Sequence, residues 1–158
     1  MLEDQERSLW NRDQIAEGKA WVESALSSRR FGPYTLQAAI AAAHADAPSA
    51  AATDWAKITG LYDVLVQVEP SPVVELNRAV AVAMANGLSE GLLLLDALQE
   101  RGELREYYLL PAARGDLLRR MERWEESGEA YREALALVSN EAERKFLQRR
   151  LAHVQGKI

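Results

Sequence analysis

The 158-residue chain has no cysteine. That excludes a disulfide framework, a thiolate metal site and a thiol nucleophile, and it fits a reducing compartment. There is no basic excess: 19 Lys and Arg stand against 24 Asp and Glu, a net charge of −5. Direct nucleic-acid binding by electrostatics alone is therefore not expected, because neutralising phosphates needs a basic surface. Long apolar runs are missing too. The stretch around Leu92 to Leu95 is far too short to span a bilayer, and the charged start, Met1-Leu2-Glu3-Asp4-Gln5-Glu6-Arg7, has no apolar signal core. These features predict a soluble, cytoplasmic chain with no membrane contact. No Gly-rich phosphate loop, nucleophile elbow or HExxH motif occurs, and Glu3, Asp4 and Glu6 lack the spacing of a calcium loop. The expectation is a non-enzyme with no cofactor, metal or catalytic residue. Alanine and leucine supply most of the 48% hydrophobic fraction while β-branched residues are few, which favours close-packed helices and an all-α fold.

What is present is a repeat. Leu76-Asn77-Arg78-Ala79-Val80-Ala81-Val82-Ala83-Met84 returns, degraded, at Ala112-Ala113-Arg114-Gly115-Asp116-Leu117-Leu118-Arg119-Arg120. In both copies a bulky residue, Leu88 or Trp124, stands ten positions after the arginine and opens a second helical run. Aligning the second helices gives three columns: Trp55, Leu88 and Trp124; then Tyr62, Leu95 and Tyr131; then Leu65, Leu98 and Ala134. Steps of seven and three keep them on one helical face, so all are expected to wedge against the preceding helix. A period in the mid-thirties is the mark of stacked helical hairpins.

Capping signals set the boundaries. Asn11 caps a helix to about Leu26, with Ile15, Gly18, Val22, Ala25 and Leu26 on one face, and Arg29-Arg30-Phe31-Gly32-Pro33 breaks it. An alanine-rich helix runs over 34–45. Thr53 is expected to cap the next, over 54–68, and Pro70-Ser71-Pro72 ends that run and starts another over 72–85. Asn86-Gly87 turns into 89–99, closed near Gly102. Helices over 107–121 and 124–138 follow. Asn140, with Glu143 three residues on, caps a last helix over 141–154. The chain is thus expected to be one domain: a flanking helix in 1–30, three hairpins in 34–138, and a capping helix in 141–154.

At the level of the repeat these residues resemble the tetratricopeptide repeat. The nearest copy is Gly115, then Trp124-Glu125-Glu126-Ser127, then Tyr131-Arg132-Glu133-Ala134-Leu135; the copy from Pro72 departs at Gly91 and Leu95. A narrower resemblance covers nearly the whole chain. It rests on Leu2-Glu3-Asp4-Gln5-Glu6-Arg7-Ser8-Leu9-Trp10, Gln37 to Ala45, Thr53-Asp54-Trp55, Pro70-Ser71-Pro72-Val73-Val74-Glu75-Leu76-Asn77-Arg78-Ala79, Ala113 to Arg120, and Glu141 to Leu151. In that order these segments look like the C-terminal tetratricopeptide-like extension of bacterial extracytoplasmic-function RNA polymerase sigma factors. The resemblance implies a right-handed superhelical stack of about eight helices that regulates transcription initiation. The implied partners are the sigma-factor domains in cis and, indirectly, RNA polymerase holoenzyme, or else a peptide or protein partner. The promoter- and polymerase-binding domains would lie before Met1, so the chain is expected to be a fragment or a stand-alone relative. The alternatives are a stand-alone tetratricopeptide adaptor and, third, a helical enzyme domain.

Groove-lining positions are expected on first helices: His44, Asn77, Arg78, Val80, Met84, Arg114, Asp116, Arg119 and Arg120. Asn77-Arg78 stands where carboxylate-clamping repeats place an Asn-Arg pair, but the next hairpin offers Ala112 and Ala113 where its polar partners belong. Asn77 is instead expected to bond a neighbouring loop's backbone. Arg78 and Arg114 are expected to pair with Asp46, Asp54, Asp63 or Asp116. Arg119-Arg120 and Arg149-Arg150 read as solvated faces with acidic partners one turn away, or as a basic patch for an acidic segment. Trp10 is expected to pack against residues outside the chain.

Overall fold

In a computed structural model, residues 10–27, 32–49 and 51–158 are described. Among them the regular structure is entirely α-helical. The helices are α1 (Arg12–Ser27), α2 (Pro33–Asp46), α3 (Trp55–Val68), α4 (Pro72–Ala85), α5 (Leu88–Arg101), α6 (Leu109–Arg120), α7 (Trp124–Leu137) and α8 (Glu141–Gln155). The break at Arg29-Arg30-Phe31, the segment 2–9 and the side chain of Leu26 lie outside the described residues. The chain forms two compact units, Met1–Val74 and Glu75–Ile158, and the division falls within α4.

In the first unit α1 packs on α2 and α2 on α3. The Asn11 carboxamide accepts the Gln14 amide at 3.1 Å, closing the open end of α1. Pro33 sits in the first turn of α2, where its missing N–H costs nothing. The small inner face of α2, Leu36, Ala39, Ile40 and Ala43, is buried, and α3 contributes Ile58 and Leu65. The cap of α3 is Asp54, not Thr53: the Asp54 carboxylate accepts the Lys57 amide at 2.9 Å. The Thr53 hydroxyl instead donates to the Ser49 carbonyl at 3.1 Å. A carboxylate also suits the positive end of the helix dipole better than a hydroxyl does.

In the second unit α5 packs on α6, α6 on α7 and α7 on α8. Gly91 brings α5 against α4: a Cβ there would lie 2.3 Å from the Ala83 Cβ and 2.7 Å from the Ala79 carbonyl oxygen. The repeat explains the choice. Thirty-six residues on, Ser127 faces Gly115, and its hydroxyl donates to the Gly115 carbonyl at 2.8 Å. The same backbone oxygen is approached by nothing but helix in one hairpin and by a buried hydroxyl in the next. The Tyr131 ring lies over Gly115, with 3.0 Å between the ring and a Cβ built there. Arg101 at the end of α5 clamps Glu75 of α4 through both Nη atoms, at 2.9 and 3.1 Å. Gly102 ends α5 with φ 73°, and Glu122 turns the α6–α7 corner with φ 59°, unusual for a side-chain-bearing residue. Asn140 caps α8 by accepting the Ala142 and Glu143 amides.

The inner columns are buried as the periodicity predicts: Leu95 and Tyr131, then Leu65, Leu98 and Ala134, with Tyr62 half-buried. The opening column, Trp55, Leu88 and Trp124, is only half-buried. Trp55 meets the His44 ring edge-on at 5.2 Å, and Trp124 meets His153 at 6.5 Å.

Candidate functional site

The nine expected groove residues divide between the units. His44 lies in the first, half-buried near the end of α2 with its ring on Trp55. The other eight lie in the second. Asn77, Val80 and Met84 step along α4 at intervals of three and four, and Ala113, Asp116 and Arg120 hold the equivalent positions on α6. The repeat therefore carries one helical face into both elements.

Four of the eight come together. Asp116 is 5% exposed, and its carboxylate is held from one turn ahead on both sides. Arg119 Nη2 donates to Oδ1 at 2.6 Å, and Arg120 Nε donates to Oδ2 at 2.8 Å. Arg120 then reaches across the repeat, its Nη1 donating to the Met84 sulfur at 3.2 Å. This contact joins α6 to α4 at positions one period apart. The arrangement is an internal ion triad under a half-buried guanidinium surface. A buried carboxylate needs such compensation, since an unpaired charge inside costs several kcal/mol.

Tyr131 of α7 closes the triad from below. Its hydroxyl is buried near the Arg119 guanidinium and has no hydrogen-bond partner among the described residues. Burial pushes this phenol up to about 12, the Asp116 charge adds to that, and Arg119 pulls it back. For Arg119, burial works against the charged form, but the bond to Asp116 and its charge outweigh it and the group is raised overall. Near neutrality Arg119 therefore stays charged and Tyr131 protonated. What such a surface can do chemically is present fixed donors to a partner.

The remaining expected residues stand apart. Arg114 pairs with Asp96 of α5 at 2.5 Å, not with any of the four aspartates expected for it. Asp96 is eighteen residues earlier on a neighbouring helix, a partner that spacing within one helix does not reveal. The same geometry overturns Asp116 as a partner for Arg114, since both its oxygens serve Arg119 and Arg120. Asn77 is exposed and, among the described residues, makes no hydrogen bond; water serves an exposed amide, so no loop backbone is needed. Arg78 and Val80 are half-buried on α4. Trp10 borders a shallow pocket of about 370 Å³ with Asn11, Gln14, Ile15 and Ala45. Tyr131 was expected only as core, and its coupling to the triad emerges from three-dimensional packing.

No family model matches the chain, and no solved structure matches it. An uncharacterized protein of Rhizobium meliloti (strain 1021) is 43% identical over 154 residues, which cover 98% of this chain and 36% of that protein. The chain therefore spans little more than a third of the length of this relative.

Proposed function

We propose that the chain is a regulatory, protein-binding domain of the kind appended to extracytoplasmic-function sigma factors. It acts by contact and not by catalysis, modulating transcription initiation through the sigma domains in cis or through a partner segment. In this reading the hairpins continue as a right-handed tetratricopeptide-like stack, and the face shared by α4 and α6 is the binding surface. The observation that carries the proposal is the junction of Met84, Asp116, Arg119 and Arg120. Equivalent positions of two successive repeats meet there in a preorganised, half-buried donor surface. The longer relative is consistent with such a module being one part of a larger polypeptide.

The test is a pull-down in which this chain captures the residues that adjoin the matching segment in the longer relative, expressed as a separate protein. The wild-type chain is expected to retain them, and Arg120→Glu to weaken retention roughly tenfold, as loss of a central charged contact does. If nothing adjoining is retained while an unrelated protein is cleanly captured through the same face, the adaptor reading replaces this one.

A further inference from the structure

The chain has no cysteine, so the thioethers of Met1, Met84 and Met121 are its whole sulfur chemistry. Met1 lies outside the described residues. Met84 and Met121 are both half-buried, close enough to the surface for a small oxidant to reach them. They differ in what surrounds the sulfur. Met121 makes no side-chain hydrogen bond among the described residues. Met84, in the last turn of α4, has a guanidinium aimed at it: Arg120 Nη1 donates to Sδ at 3.2 Å. The same arginine is anchored from behind, with its Nε on the Asp116 carboxylate at 2.8 Å. Its place over the sulfur is therefore held by a neighbour on its own helix.

A thioether is among the weakest acceptors in a protein, whereas a charged N–H is among the strongest donors. The contact is thus mismatched, a charged donor answered by an atom that barely accepts. A sulfoxide reverses this, because its oxygen carries a large partial negative charge. We infer that Met84 is a reversible oxidation site whose sulfoxide oxygen is received by Arg120, fastening α4 to α6 across one repeat. A sulfoxide made in an apolar interior disrupts packing, since it brings in a polar oxygen without a partner. At Met84 the partner is already in place.

The oxidant is a hydroperoxide, of which hydrogen peroxide is the simplest. A sulfur lone pair attacks the nearer oxygen, so the S–O bond forms as the O–O bond breaks. The further oxygen leaves as hydroxide and takes the proton of the transferred hydroxyl, releasing one water. Sulfur loses two electrons and the peroxide gains them. The Arg120 charge favours the step, since negative charge gathers on the departing oxygen. A methionine sulfoxide reductase, drawing electrons from a dithiol, returns the thioether. The site stands independently of the partner-binding role proposed for this face.

The test uses the 158-residue chain carrying Met121→Leu, a swap of similar volume that leaves Met84 the one methionine beyond residue 1. The folded chain is treated with hydrogen peroxide, mapped by peptide mass spectrometry, and unfolded in urea before and after treatment. Met84 is expected to take up one oxygen with the circular dichroism spectrum unchanged, and the urea midpoint to hold or rise. Sulfoxide reductase with dithiothreitol is expected to remove the oxygen again. With Arg120→Ala added, the same oxidation is expected to lower the midpoint, because the new oxygen finds no donor. Should that variant not fold, Met84→Gln takes its place: its amide oxygen is a permanent acceptor for Arg120, and its midpoint is expected to match or exceed that of the wild type. Three results overturn the inference: Met84 resisting peroxide until the chain unfolds, oxidation lowering the midpoint with Arg120 present, or Met84→Gln unfolding at a lower midpoint than the wild type.

Discussion

A single added methyl group is expected to register at Gly91. Its Cβ would fall 2.3 Å from the Ala83 Cβ and 2.7 Å from a backbone oxygen, so α4 and α5 have to separate. Gly91→Ala is predicted to cost about 1–3 kcal/mol in urea unfolding, despite the better helix propensity of alanine. Tyr131 makes a second residue-level prediction. Its phenol stands at about 12 in the folded chain against an ordinary 10.0, raised first by burial. Both states are protonated below about pH 10, so the tyrosine's contribution is fully present there. Between about pH 10 and 12 the unfolded chain ionises first, and stability falls by about 2 kcal/mol from this group. Tyr131→Phe is expected to lack that part of the alkaline loss, measured as the unfolding midpoint against pH. How far these residues were readable in advance follows from the range of each interaction. Leu95, Leu98, Tyr131 and Ala134 were legible because burial follows helical period. That Arg119 and Arg120 take an acidic partner one turn away was legible, but not that it is Asp116, expected for Arg78 or Arg114, nor that the group is largely buried rather than solvated. The Arg114 bond to Asp96 and the coupling of Tyr131 to the triad were not, since both depend on how separate helices dock.

Helices as elements were legible to within a residue or two wherever a cap or proline marks the end. Asn11, Pro33, Gly102 and Asn140 all act as the sequence signals imply. The exceptions have local causes. Thr53 and Asp54 are adjacent capping residues, and the part-buried bond from the Thr53 hydroxyl to the Ser49 carbonyl decides that Thr53 faces away from the helix. Asp54→Ala is accordingly predicted to cost about 1 kcal/mol and to speed amide exchange in the first turn of α3. The α6 helix begins at Leu109, two residues past the expected start, because Tyr107 and Tyr108 belong to the turn that leads into it. Glu122 was unmarked, as nothing in its type announces a left-handed corner. Three amides there, of Met121, Glu122 and Arg123, bond back to the last carbonyls of α6 and hold the conformation.

At the scale of the molecule, the repeat foretold hairpins but not the division of the chain at Val74 and Glu75. The second unit holds its own core, in which Ala112, Tyr131, Ala134, Val138, Leu147 and Val154 are buried together, with Phe146, Leu151 and Trp124 packed on them. A fragment of residues 71–158, which keeps α4 whole, is therefore predicted to be helical and to unfold cooperatively. Circular dichroism with a urea titration checks this, and a gradual, sloping transition would contradict it.

The edge-on meeting of Trp55 and of Trp124 with an imidazole has a practical consequence. Tryptophans occur at positions 10, 21, 55 and 124, so Trp124 is the one indole of the second unit, and it sits beside His153. The ring contact and the half-burial of this indole set its emission, and opening the hairpin end removes both. The chain thus carries an intrinsic optical gauge: with Trp10, Trp21 and Trp55 replaced by phenylalanine, brightness alone follows the integrity of the α7–α8 end in real time.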